Sequence, residues 1–288
     1  LDISANLSIA IASGKGGTGK TTVALNLARV YDAPVQLLDC DVEEPNDHLF
    51  LKGGFGPEEA VGIPVPEIDP AKCRGCGECS RFCQYHAIAA IGTPPLVFAE
   101  LCHGCGGCAK VCQNGAIREV DRRVGVVRTL KDGDISLIQG CLDVGVAMAP
   151  PLIRAVQSKR NGSLLTILDA PPGTSCPVVA TLRRADRAIL VTEPTPFGLH
   201  DLTLAVETVR ALGIPFGVVI NRAGIGDDRV LDFCAESGIP ILAVIPEDRR
   251  IAEVCSRGEL IVESLPEYRG VFRDLLEKIL TPGALEPV

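Results

Sequence analysis

The sequence contains no tryptophan, one methionine and only 4% aromatic residues. A core without large rings must be packed from Val, Ile, Leu and Ala, and at 47% hydrophobic the chain has enough of them. A basic surplus is also missing: 36 acidic residues against 28 Lys and Arg give a net charge of −8. That excludes nonspecific nucleic-acid binding, which needs a cationic surface to release counterions. No apolar run reaches the ~18 residues of a membrane-spanning helix, so no stable membrane anchor is expected. The apolar start at residues 7–12 is too short for a secretion signal and leads directly into glycines. Cysteine, by contrast, is plentiful at 13 residues. So many thiols without an export signal point to metal ligation in a reducing cytoplasm rather than to disulfides.

The order of the chain is that of an α/β protein. Residues 7–13 are an apolar run, 14–22 are rich in Gly and Thr, and 23–30 have helical spacing, which predicts strand, loop, helix. A second strand, Val35–Asp39, ends in the acidic stretch Asp39-Cys40-Asp41-Val42-Glu43-Glu44. Further continuously apolar runs end at Asp169, at Thr192-Glu193, at Asn221 and at Pro246, as expected of parallel strands covered on both faces. Between them Leu202, Ala205, Val206, Val209 and Leu212 recur at helical spacing and Gly213 closes the helix. Alternating strands and helices predict an open, mostly parallel sheet, with ligand sites at the strands' carboxyl ends, where Asp39, Asp169 and Asn221 fall. Near the C-terminus Val271, Phe272, Leu275, Leu276 and Ile279 predict an amphipathic helix packed on the core. Residues 53–70 carry Pro57, Pro64, Pro66 and Pro70 among several glycines and read as a linker.

Gly14-Lys15-Gly16-Gly17-Thr18-Gly19-Lys20-Thr21 satisfies G-x-x-x-x-G-K-[ST] directly after a strand. Glycines let successive N–H groups wrap phosphate oxygens, Lys20 can bridge the β- and γ-phosphates, and Thr21 can ligate magnesium. The same glycines also satisfy the dinucleotide pattern G-x-G-x-x-G, with Asp39 twenty residues after Gly19. Three features favour a triphosphate. Lys20-Thr21 has no purpose under a pyrophosphate, Lys15 puts a second cation in the loop, and Asp169-Ala170-Pro171-Pro172-Gly173 offers a metal-side carboxylate with a mobile glycine.

Eight cysteines form two near-copies of one phrase: Cys73, Cys76, Cys79 and Cys83, then Cys102, Cys105, Cys108 and Cys112. Residues 73–88 and 102–117 align without gaps. Three thiolates at x-x spacing can reach three corners of an iron–sulfur cube, and in two-cluster ferredoxins the fourth cysteine of each run serves the other cluster. The expected ligand sets are therefore Cys73, Cys76, Cys79 with Cys112, and Cys102, Cys105, Cys108 with Cys83, for two 4Fe-4S clusters. Zinc, the alternative, prefers paired C-x-x-C knuckles. The proline that usually follows the fourth cysteine is replaced by Gln84 and Gln113. Residues 65–124 read as an inserted domain between two parts of the α/β domain, 1–64 and 125–288. Of the other cysteines, Cys234 and Cys255 lie in helical patterns and read as small core residues.

The stretch Lys15-Gly16-Gly17-Thr18-Gly19-Lys20-Thr21-Thr22 resembles the deviant Walker loop of the MinD, ParA, Mrp and nitrogenase iron-protein superfamily. The whole looks like such an ATPase, a P-loop sheet with helices on both faces, carrying an inserted bacterial-type two-cluster ferredoxin domain. The resemblance implies ATP and Mg2+ held by Gly14 through Thr22. It also implies a homodimer formed on ATP binding, in which Lys15 reaches the partner's phosphates. Asp39 and Asp41 would form the first switch, with Asp41 near the metal and attacking water. Asp169 would hold the metal through water, Gly173 would let a second switch sense the γ-phosphate, and Asn221 would read the adenine edge. Cys176, with Cys141, would sit where the nitrogenase iron protein bridges subunits with a cluster. The implied function is an ATP-dependent switch gating electron delivery to a redox partner protein. An Mrp-type cluster carrier is one alternative, although the C-terminal C-x-x-C pair of such carriers is missing. A MinD-like positioning ATPase with structural or sensory clusters is the other.

Overall fold

The computed structural model describes residues 6–281 and 283–285. The first strand, β1 (Ser8–Ala12), feeds α1 (Lys20–Val30), and β2 (Val35–Asp39) is followed by a short 3-10 turn at Asp47–Phe50. Next come β3 (Glu59–Ile68), α2 (Glu78–Phe82), β4 (Ile88–Ala89), β5 (Leu96–Val97), α3 (Gly107–Val111), β6 (Ile117–Asp132) and β7 (Ile135–Leu142). The remainder alternates: α4 (Ala149–Ser158), β8 (Leu165–Asp169), α5 (Cys176–Leu182), β9 (Arg187–Thr192), α6 (Pro196–Leu212), β10 (Phe216–Ala223), α7 (Arg229–Glu236) and β11 (Ile241–Pro246). Three helices close the chain, α8 (Arg249–Ser256), α9 (Ile261–Ser264) and α10 (Arg269–Leu280).

Nine strands form one sheet in the order β11-β10-β9-β1-β8-β2-β7-β6-β3, parallel from β11 to β7 and antiparallel at β7-β6-β3. The central strands are buried on both faces, so alternate residues serve different cores. Ile9 and Ile11 pack with α1, α9 and α10, whereas Ala10 and Ala12 pack with α4, α5, α6 and α7. Phe272, Leu275 and Ile279 of α10 are fully buried in the first of these cores, so the terminal helix packs as its periodicity predicts. Among the described residues no helix is long and apolar enough to cross a membrane.

The reading of 53–70 as a linker is corrected, because Glu59–Ile68 is a ten-residue strand paired with β6 from Glu59↔Val127 to Ile68↔Ile117. β3 lies at the sheet's edge, where a proline's missing N–H can face away from the ladder, and this is how Pro64 and Pro66 are accommodated. The boundaries drawn at 65 and 124 therefore cut through β3 and β6, which belong to the main sheet. Between them residues 69–116 fold as a small unit of two short helices and the β4-β5 pair, around Cys79, Ile88 and Cys108.

Candidate functional site

The glycine loop joins β1 to α1 at the carboxyl edge of the sheet. It packs tightly on α6: a Cβ at Gly14 would lie 2.0 Å from the Asp201 carbonyl oxygen. Gly19 (φ 96°) adopts the left-handed conformation where α1 begins, and a Cβ there would lie 2.4 Å from Asn221 Nδ2. α1 starts with neither a side-chain cap nor an acidic residue in its first turn, which leaves its positive end for an anion. The 171–173 loop lies alongside: the Gly173 N–H donates to Ser13 O at 3.0 Å, and Gly173 has φ 92°.

Behind the loop four carboxyls and one ammonium share a nearly dry space. Lys20 is buried, and burial lowers its pKa while Asp169 and Asp41 pull it back up. Thr21 Oγ1 donates to Asp169 Oδ2 at 2.6 Å. Asp39 Oδ2 accepts from Gln139 Nε2 at 2.6 Å, and Asp39 Oδ1 accepts from the Asp41 N–H at 3.1 Å. Asp47, in the 3-10 turn, is wholly buried, and neither of its carboxyl oxygens meets a donor; Asp169 Oδ1 is in the same position. Burial first, then the neighbouring carboxylates, push Asp39 and Asp47 well above the usual carboxylate range. Burial also raises Asp169, against the opposing pull of Thr21 and Lys20. Orphaned buried oxygens and crowded like charges fit a site for a divalent cation, and Thr21 and Asp169 are the residues that would hold it.

Sequence reasoning missed Asp47 and Gln139. Gln139 on β7 is fully buried and links Asp39 to Arg128 on β6, accepting from Arg128 Nη2 at 3.0 Å. Only the acidity of the stretch after β2 hinted at Asp47. Nothing local marked Gln139, which meets Asp39 a hundred residues away in the chain.

The crowding predicts a pH dependence. Asp41 is pushed up to about 6 by burial first and by Asp169 second. With its folded-state pKa above the unfolded value, the folded chain binds more protons than the unfolded one between about pH 4 and pH 6. Stability of the metal-free protein therefore falls as pH rises through that window and stays lower above it; Asp39 and Asp47 act with the same sign. The melting temperature without nucleotide or metal is expected to be lower at pH 7 than at pH 5, and Mg2+ with ATP should flatten the slope. A metal-free melt that rises across that interval would contradict the assignment.

The other predicted residues lie around the loop. Lys15 Nζ is 3.0 Å from Glu193 Oε2, and Arg222 Nη1 donates to Glu193 Oε1 at 2.8 Å. Asn221, expected at an adenine edge, uses its amide within the chain: Nδ2 donates to Thr18 O at 2.8 Å and Oδ1 accepts from the Arg222 N–H at 3.0 Å. Cys176 is exposed at the start of α5 and Cys141 is half-buried on β7.

In the 69–116 unit, two narrow apolar cavities are walled by cysteines. One is lined by Cys73, Cys76, Cys79 and Cys112, the other by Cys83, Cys102, Cys105 and Cys108. Each takes three cysteines from one run and the fourth from the other. Backbone N–H groups point at sulfur in both repeats: Ala87 to Cys83 Sγ and Ala116 to Cys112 Sγ, each at 3.3 Å. Burial pushes the Cys108 thiol up to about 11 and raises Cys79 as well. Among the described residues no three His, Cys, Asp or Glu side chains converge on a single ion.

The family model for the CobQ/CobB/MinD/ParA nucleotide-binding domain matches residues 9–261. The chain belongs to this family. The chain is 31% identical over 265 residues to an uncharacterized protein of Methanocaldococcus jannaschii, a match covering 87% of this chain and 90% of that one. It is 28% identical to the iron-sulfur cluster carrier protein of Aquifex aeolicus, covering 90% of this chain and 62% of the carrier. Among solved structures, the cell division ATPase MinD of Pyrococcus furiosus shares the fold, with a TM-score of 0.57, 22% identity, and 94% of this chain and 97% of MinD covered.

Proposed function

We propose that this MinD/ParA-type protein is an ATP-hydrolysing homodimeric switch. Its nucleotide state would control two resident 4Fe-4S clusters in residues 69–116, which deliver electrons to a partner protein. The observation that carries this reading is the pair of four-cysteine cavities set on strands of the sheet that bears the phosphate loop. Four sulfurs spread around a cavity suit the corners of a cube, and the N–H groups aimed at Cys83 and Cys112 suit sulfurs that carry negative charge. The bound clusters would supply one-electron transfer.

On this reading the nine residues from Gly14 to Thr22 wrap the phosphates, Lys20 neutralises the β- and γ-phosphates, and Asp41 orients the attacking water. Thr21 and Asp169 would hold magnesium, which supplies charge neutralisation between the phosphates when bound. Lys15 reaches across the dimer to stabilise charge on the transferring group, as a finger residue does. Coupling to the cysteine unit has a short route, since Asp39 holds Gln139, Gln139 holds Arg128, and Arg128 lies on the strand that begins five residues after Cys112. The test is the rate at which a small oxidant bleaches the reduced, anaerobically purified protein, compared with ADP and with a nonhydrolysable ATP analogue bound. Equal rates would remove the gating claim.

A second reading, a cluster carrier, is favoured by the likeness to the Aquifex carrier and to a Drosophila melanogaster cytosolic Fe-S cluster assembly factor, 31% identical over half of this chain. Incubation with an apo-ferredoxin acceptor and ATP separates the two. Resident clusters leave the iron on this chain, whereas a carrier hands it over.

A further inference from the structure

We infer that Glu193 is a positioning residue, a holding site for Lys15 in the open protein that must release it before the dimer closes. This rests on the proposed reading of Lys15 as the lysine that reaches a partner's nucleotide, and it adds where that lysine waits.

Glu193 follows directly on β9, and its side chain is only 7% exposed, against 32% for Lys15. Its seat is stiff. The Thr195 N–H donates to the Glu193 carbonyl at 2.8 Å, and a Cβ at Gly198 would lie 2.1 Å from that same oxygen, so α6 closes down on the loop. One carboxylate oxygen takes Lys15 and the other takes Arg222. Arg222 has φ 53°, in the left-handed region that side chains rarely adopt, and this turn brings its guanidinium back to Glu193.

The second partner decides what the device can do. A nearly buried carboxylate stripped of its only cation would be strongly unfavourable, and a lysine held that way would not leave. With Arg222 in place Glu193 remains paired after Lys15 departs, so release costs little and a triphosphate can compete for the ammonium. Lys15 thus has two alternative anions, Glu193 within its own chain and the phosphates across the seam. Arg222 also ties this carboxylate to Asn221: its guanidinium donates to Glu193 and its backbone N–H donates to Asn221 Oδ1, while the Asn221 amide holds the loop at Thr18. The carboxylate and the loop therefore share one frame.

The test uses the full holoprotein and the concentration of a nonhydrolysable ATP analogue that gives half-maximal dimer in sedimentation. Glu193→Gln removes the competitor, so less analogue is needed, by about threefold or more. Arg222→Gln leaves Glu193 dependent on Lys15, so more analogue is needed, by a similar factor. Arg222→Gly, which removes the positive-φ strain, should shift the midpoint in the same direction and guards against misfolding of the first arginine variant. Midpoints that move the same way for the glutamate and arginine variants, or that do not move, overturn the inference. Lys15→Ala separates the two levels. If it dimerises like the parent protein, the trans-lysine reading itself is wrong. If it fails to dimerise while the other variants do not split in sign, only the Glu193 inference falls.

Discussion

Replacing Lys20 by alanine is expected to lower ATP hydrolysis by about 10²- to 10³-fold, the usual loss when a fixed charge on the reacting group is removed. The same change should destabilise the nucleotide-free fold. Lys20 is the cation whose charge offsets both Asp169 and Asp41, and Asp39 and Asp47 crowd the same space. Without it the ionised forms of these acids lose support, and their pKa values rise further. The fall in melting temperature should accordingly be larger at pH 7.5 than at pH 5, where more of these carboxyls already carry a proton. A surface role for Lys20 would give neither the loss of turnover nor the pH-dependent melt. A variant with parental turnover would refute the placement of the triphosphate.

The second large effect concerns Cys83. If ligands are shared as the cavities are lined, Cys83→Ser removes a ligand from the site of Cys102, Cys105 and Cys108, not from that of its own run. The expected result is loss of about four of roughly eight irons per chain, with a residual electron paramagnetic resonance spectrum matching that of Cys102→Ser and differing from that of Cys79→Ser. The reciprocal pairing is Cys112→Ser with Cys73→Ser. Sets that follow the runs, with Cys83 grouped with Cys79, would show that the lining of the cavities does not describe ligation. Cys108→Ser is the harsher variant, since Cys108 is also part of the small buried cluster with Cys79 and Ile88.

Much of this architecture is legible in the sequence wherever a signal is local. The strands ending at Asp39 and Asp169, and β10 up to Asn221, contain the apolar runs read from the sequence, and burial on both faces of a parallel sheet requires that pattern. The phosphate loop and the cysteine runs are legible because their chemistry demands fixed short spacings. β3 was hidden because Pro64 and Pro66 argue against a strand anywhere except at an edge, and edge position is a property of the whole sheet. Asp47, Gln139 and Glu193 were hidden for a related reason. Each is an ordinary polar residue locally, and its role comes from partners brought close by the fold: Asp39 and Asp169 for Asp47, Asp39 and Arg128 for Gln139, Lys15 and Arg222 for Glu193. Asn221 lies two residues before the end of β10, and its amide meets Thr18 and the Arg222 N–H, contacts that no local signal announced.

The way residues 69–116 leave and rejoin the sheet has a practical consequence. Their two ends lie side by side, with Ile68 opposite Ile117 and the Asp69 N–H donating to Ala116 O at 2.7 Å. A loop of two residues such as Asn-Gly could join those strands as a simple hairpin. Shortened there, the chain is expected to keep its edge strands and its phosphate loop without the cysteine unit, and the same two anchor points could take a different module.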